Sequence, residues 1–174
     1  MAESGLVVGS AGNVSVRVGD DMLITPRRYA LAAVEPGDCV RVRLEDGAVV
    51  HTHSHFATVL STLVDEIPPV HYGTIAFGGR VRVAPYATFG TDELAASVEA
   101  ALQGRRAALI ANHGAVTLAG EVDRAVDLAI ELEWLSSVAY HAIVAGKPRL
   151  LDDAELERVA ERARTLRYAL TEVR

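Results

Sequence analysis

Apolar and polar positions along the chain alternate differently in its two halves. In the first half the runs are short and of period two. Val14, Val16 and Val18 alternate with Ser15 and Arg17, the signature of a half-buried strand. Asp20-Asp21 then turns the chain into Met22-Leu23-Ile24, which predicts a hairpin. Val40 to Leu44 alternates valine with arginine, and Glu45-Asp46-Gly47 turns into the strand Ala48-Val49-Val50. Ahead of these lies apolar Gly5 to Val8, closed by the small-residue turn Gly9-Ser10-Ala11-Gly12-Asn13. Phe56 to Val64 reads as a helix that ends before Pro68-Pro69.

The second half is more helical. Thr91 is an N-cap with Asp92 and Glu93 in the first turn, leading a helix to about Leu102. Ala107 to Ala111 and Val116 to Leu118 read as buried strands. From Glu121 to Ala145 apolar residues recur at helical spacing (Val122, Val126, Ala129, Ile130, Leu135, Val138) until Gly146 and Pro148 stop them. Asp152 caps a last helix, Glu155 to about Thr171, with a solvated Glu/Arg face. The pattern predicts an α/β sandwich with a mixed or antiparallel central sheet, not the strict alternation of a dinucleotide fold.

Composition narrows the function classes. A chain of 174 residues, half of them hydrophobic but only 5% aromatic, makes one domain with a core of Ala, Val and Leu. A net charge of -6 gives no electrostatic case for nucleic acid or an anionic membrane. The lone Cys39 excludes an internal disulfide and fits a reducing compartment. No run is long enough to span a bilayer and no signal peptide is visible, so a cytoplasmic protein is expected.

Two segments carry candidate chemistry. In VVHTHSH, residues two apart on a strand share a side, so His51 and His53 aim together while Thr52 faces away. His113, in ALIANHG, ends a second apolar strand. If the two strand ends are neighbours, three neutral imidazoles converge on a divalent metal with coordination positions left open, the arrangement of metals that do chemistry. The alternative is that each histidine merely hydrogen-bonds a carbonyl. The turn Gly9 to Asn13 could offer backbone N–H groups to an anion such as phosphate, with Gly12 allowing close approach and Ser10 and Asn13 adding donors. No Gly-Lys-Ser/Thr follows, so it is not a Walker loop, and an ordinary tight turn would look the same.

Taken together and in order, GLVVGSAGNVSVR, ITP, VVHTHSHFATVLS, IPPVHY with AFGG, APYATFGTDELA and ALIANHGAV resemble the class II aldolase/adducin family over most of residues 5–145. The resemblance implies a class II aldolase-like sandwich, commonly a homotetramer. It implies a metal-dependent lyase that cleaves a small ketose phosphate, such as L-fuculose phosphate, to dihydroxyacetone phosphate and an aldehyde. By the same resemblance His51, His53 and His113 are ligands of a divalent metal, zinc above all. Gly12, Asn13 and Thr25 hold the substrate phosphate, and Tyr72 is a catalytic residue. A related epimerase, dehydratase or decarboxylase, or a non-catalytic adducin-like interaction domain, stays open as an alternative.

The chain also departs from the family. Members carry, between the Asp-Gly turn and the His-x-His strand, a segment with a Pro-Ser-Ser-Glu-like motif and a helix, whose Glu is the usual acid/base. Here Gly47-Ala48-Val49-Val50 runs directly into His51, an apparent missing segment near 47–51. Either the chain truly lacks the segment, and with it the catalytic Glu, or the sequence is joined across it; losing a helix and a strand from inside a packed domain should expose core, which favours the second and predicts a backbone step wider than the ~3.8 Å Cα spacing there. Thr25-Pro26-Arg27-Arg28 stands where the family has Thr-Pro-Ser-Gly, and the two readings are that either arginine grips an anion or that the pair faces solvent. Of the other histidines, His55 is expected to begin a helix, His71 to adjoin the pocket through Tyr72, and His141 to pack or face solvent. Trp134 is read as core or interface, and Tyr168 as a residue that could reach a neighbouring subunit.

Overall fold

The computed structural model describes residues 1, 4–7, 11–19, 21–25, 33, 40–42 and 47–166. Arg27, Arg28, Cys39, Ser10 and Tyr168 lie outside them. Seven strands form one mixed sheet: β1 (Asn13–Val18), β2 (Asp21–Ile24), β3 (Val40–Val42), β4 (Ala48–Thr52), β5 (Arg82–Ala84), β6 (Ala107–Ile110) and β7 (Gly114–Ala119), in the order β3-β2-β1-β4-β7-β6-β5. Every pairing is antiparallel except β5 with β6. Among the described residues four α-helices accompany it: α1 (His55–Ser61), α2 (Asp92–Leu102), α3 (Val122–Ala145) and α4 (Asp153–Thr165), with a 3-10 helix at Tyr72–Phe77.

The strand alternation sorts side chains between two helical layers. Leu109 and Ala115 join Leu60 of α1 and Leu128, Leu132 and Leu135 of α3 in the main core, while Val50 packs with Leu6, Ala48, Ala125 and Ala129 in a second cluster. Each such leucine contributes on the order of 1.5–3 kcal/mol by leaving water. The other face puts Val49, Ala108, Val116 and Leu118 against Val98, Ala101 and Leu102 of α2.

The expected caps are there. The Thr91 hydroxyl accepts the Leu94 N–H at 3.3 Å and the Asp152 carboxylate that of Glu155 at 2.7 Å. Helix α4 starts at Asp153, earlier than the pattern predicts, because Asp153 and Glu155 share its first turn. Helix α1 is shorter than expected, since the chain leaves it at Thr62. Strand β5 and the 3-10 helix are additions to the sequence reading. The wide backbone step expected near 47–51 is not found. Gly47 accepts the Arg17 N–H at 2.8 Å and β4 is paired on both sides from Ala48, so the chain is continuous there.

Topology gathers one end of the sheet. The start of β1, the end of β2, the end of β4 and the start of β7 lie side by side, because these strands run antiparallel to their neighbours. Asn13 pairs with His51, and Thr52 pairs with Ala115.

Candidate metal centre

His51 and His53 leave the end of β4 on one face, while Thr52 turns to the other and is buried. His113 reaches the same spot from the β6–β7 hairpin. That hairpin closes with Ile110 opposite Gly114, and its middle residue Asn112 holds φ at 56°. Asparagine tolerates this left-handed geometry better than other side-chain-bearing residues, and it gives a three-residue loop its turn. The His113 N–H closes on the Ile110 carbonyl at 3.0 Å, which fixes where its ring starts.

Gly114 is there for space. A Cβ at that position would lie 2.2 Å from the Thr52 carbonyl oxygen and 3.2 Å from Cδ2 of His53. Only a hydrogen lets β7 come this close to the end of β4, and the approach brings His113 beside His53.

The three rings meet edge to face, with every pair of centroids 4.9 Å apart. One nitrogen from each ring lies within 4.8 Å of the other two, and the Nε2 atoms of His51 and His53 are 3.1 Å apart. Two nitrogens on a tetrahedral zinc at 2.0–2.1 Å stand about 3.3 Å apart, close to the spacing of this pair, which is also at hydrogen-bond distance. His51 Nδ1 lies 2.9 Å from the Ala115 carbonyl oxygen. A carbonyl can only accept, so Nδ1 carries the proton and the Nε2 lone pair is turned toward the other rings.

Electrostatics agree with the geometry. Burial holds the His51 pKa down to about 4, with the Ala115 bond opposing and the neighbouring imidazoles adding to the depression. Burial lowers the pKa of His53 and His113 as well, with His113 contributing at His53. All three are therefore neutral donors at pH 7, as a metal requires. Three nitrogen donors of intermediate softness suit zinc or a similar divalent ion.

The glycine turn abuts this group. Gly12 has φ +83°, and a Cβ on it would sit 2.6 Å from the His51 carbonyl oxygen. Thr25 Oγ1 accepts the Val14 N–H at 3.1 Å, and its own N–H donates to the Val14 carbonyl at 3.0 Å. Gly12, Asn13 and Thr25 thus share the sheet end with His51.

Tyr72 opens the 3-10 helix and is 52% exposed. Its ring lies 4.4 Å from that of His71, which meets Trp134 edge-on at 4.8 Å. Among the described residues no ring contact joins Tyr72 to the three histidines. His55 begins α1 and is exposed; His141 is exposed on α3 with Nδ1 2.8 Å from the Ser137 carbonyl. Trp134 is half exposed, not core.

Glu133 lies inside the helix that the sequence pattern predicts. Its carboxylate crosses from α3 to accept the Phe56 and Ala57 N–H groups at the start of α1, at 2.8 and 3.0 Å. An inward-facing glutamate between Leu132 and Leu135 is the one signal that could have drawn notice.

Comparison with known proteins places these features in context. The model of the Class II Aldolase and Adducin N-terminal domain matches residues 1–48 and 43–140. The 5-methylthioribulose-1-phosphate/5-deoxyribulose-1-phosphate aldolase of Rhodospirillum rubrum is 37% identical over 187 residues, covering 92% of this chain and 85% of that protein. L-fuculose phosphate aldolase of Escherichia coli K12 is 34% identical over 192 residues, covering 95% and 89%. A solved L-fuculose 1-phosphate aldolase superposes with a TM-score of 0.87 at 32% identity, covering 94% of this chain and 90% of that one. The first alignment spans 187 positions but draws on about 160 residues of this chain, so about 27 positions are filled by the relative alone. The two family matches overlap at 43–48, just ahead of β4.

Proposed function

Because the chain belongs to the class II aldolase and adducin family, we propose that it is a metal-dependent lyase cleaving a small ketose phosphate to dihydroxyacetone phosphate and an aldehyde. The observation that carries this is the convergence of three neutral imidazoles beside a glycine turn at one sheet end. Zinc is the proposed ion, with His51, His53 and His113 as its holders. When bound, a divalent cation supplies Lewis-acid polarisation of the substrate's oxygens and stabilises the charge that carbon–carbon cleavage leaves behind.

The remaining work falls to the chain. Asn13, Thr25 and the backbone at Gly12 hold the phosphate, so that binding energy far from the breaking bond aligns it. Exclusion of protons by the lowered histidine pKa values keeps the donors available through neutral pH. Tyr72 is the proposed proton carrier. Because no ring contact joins it to the histidines among the described residues, the proposal includes assembly into a homotetramer in which a neighbouring copy completes the site. A cytoplasmic location is proposed with it, on the strength of the single cysteine.

The shortened connection ahead of β4 favours a second outcome, in which metal and sugar phosphate bind but the bond is not cut. A panel of ketose 1-phosphates, including those of L-fuculose and 5-deoxyribulose, assayed for dihydroxyacetone phosphate with and without chelator, separates the two. Chelator-sensitive release supports the lyase. Chelator-sensitive binding without release supports a non-cleaving member. A protein that takes up no divalent metal sinks both.

A further inference from the structure

Glu133 is a long way from the histidines in sequence, yet the structure ties it to the strand that carries two of them. Helix α1 begins at His55, two residues after His53. Its N-cap, Ser54, is buried and makes no side-chain capping bond. The first N–H groups of any helix need acceptors from outside its own ladder. Here both come from one side chain: Glu133 Oε1 takes Phe56 and Oε2 takes Ala57. A bidentate carboxylate at a helix N-terminus also meets the positive end of the backbone dipole.

The clamp is anchored at its other end. Helix α3, which carries Glu133, is fastened to β7 by the Thr117 hydroxyl donating to the Ala125 carbonyl at 2.8 Å. Strand β7 in turn supplies the Ala115 carbonyl that orients His51 and the Gly114 position that the His53 ring packs against. The backbone after His53 is therefore held by the helix that is fixed to the strand holding His51.

We infer that Glu133 is a positioning residue for the metal centre: by clamping the start of α1 it sets where His53 points relative to His51 and His113. This rests on the metal reading above. It assigns Glu133 no contact with metal or substrate. Outer partners that orient ligands change metal affinity by roughly 10- to 100-fold when removed.

The test is titration of chelator-treated protein with Zn2+ against a chromophoric competitor, and with Co2+ for its visible spectrum. Glu133→Ala is expected to weaken Zn2+ about tenfold to a hundredfold and to alter the Co2+ band shape. Glu133→Gln, whose single amide oxygen can take only one of the two N–H groups well, should fall between it and wild type. Val59→Gly weakens α1 outside the clamp and should lower the melting temperature while leaving Zn2+ affinity within about twofold. If Glu133→Ala loses stability like Val59→Gly but keeps wild-type affinity and spectrum, Glu133 only caps a helix and the inference is wrong. Should Glu133→Ala fail to fold, wild-type affinity and spectrum in Glu133→Gln overturn it equally. A wild-type protein that binds neither ion overturns the metal reading itself, a result distinct from a flat series on a protein that does bind.

Discussion

Replacing Gly114 with alanine tests whether the close approach of β7 to β4 builds the metal centre. The added Cβ would sit 2.2 Å from the Thr52 carbonyl oxygen, against the 3.4 Å at which ordinary contact begins, so the strands must part by about 1 Å. Both partners in the clash are backbone, and no side-chain rotation relieves it. Overpacking of this kind costs about 1–3 kcal/mol. The value here belongs near the top of that range, which for a domain of this size lowers the melting temperature by roughly 4–10 °C. The same movement carries His113 and presses on Cδ2 of His53, 3.2 Å away, in a site whose closest nitrogens are 3.1 Å apart. A shift of that size in one ligand should weaken Zn2+ at least tenfold. Gly120→Ala is the control, since a Cβ there meets nothing within 4 Å. Thermal unfolding of the metal-free proteins and Zn2+ competition titration give the two numbers. Gly114→Ala matching Gly120→Ala in both would refute the argument that close strand approach assembles the site.

Four further outcomes are expected. His113→Ala should abolish stoichiometric Zn2+ uptake by equilibrium dialysis and remove chelator-sensitive thermal stabilisation, which at 100 times Kd is about 2.7 kcal/mol. Metal-free protein should lose stability as pH falls from 6.5 toward 4. There the unfolded chain takes up protons that His51, with its pKa near 4, refuses, and the loss from His51 alone approaches about 3 kcal/mol in urea titrations. Gly12→Ala places a Cβ 2.6 Å from the His51 carbonyl at φ +83° and should raise KM for a ketose phosphate tenfold or more, with inorganic phosphate inhibition weakened in parallel. Tyr72→Phe should lower kcat with little change in KM or in metal content, as a proton carrier would; an unchanged kcat removes Tyr72 from the reaction.

How much of this was readable in the sequence follows from the range of each interaction. The caps at Thr91 and Asp152 bind N–H groups three residues on, so the residues that set them are adjacent in the chain. The alternation of Val14, Val16 and Val18 is equally local. The pairing of His51 with His53 follows from strand period alone. The third histidine needs the neighbouring of β4 and β7, which is a property of topology; the order of motifs shared with a family supplied it, and spacing did not. Strand β5 escaped because three residues, Arg82–Ala84, carry no period, and their parallel partner begins more than twenty residues later. Glu133 escaped for a related reason. Its acceptor role is directed at backbone N–H groups 77 and 76 residues away, and backbone groups leave no mark in a sequence.

His51 is where these separate pieces become one site. Its strand lies between β1 and β7, so its backbone faces Asn13 on one side and Val116 on the other. Its side chain is oriented by the Ala115 carbonyl, and its own carbonyl is what Gly12 leaves room for. The three imidazoles and the close approach of Gly12 are thus built around the same few residues of a paired strand. The arrangement has a thermodynamic cost. Burying an imidazole to a pKa of about 4 and crowding two more beside it destabilises the folded chain in acid, and a bound cation reverses that by using the lone pairs that protons would otherwise seek. A site whose polar groups are buried, neutral and mutually aimed is one shaped to hold a positive charge. Among the described residues His51 is the one member of the three that closes on a carbonyl, and that bond turns its free nitrogen toward His53, 3.1 Å away.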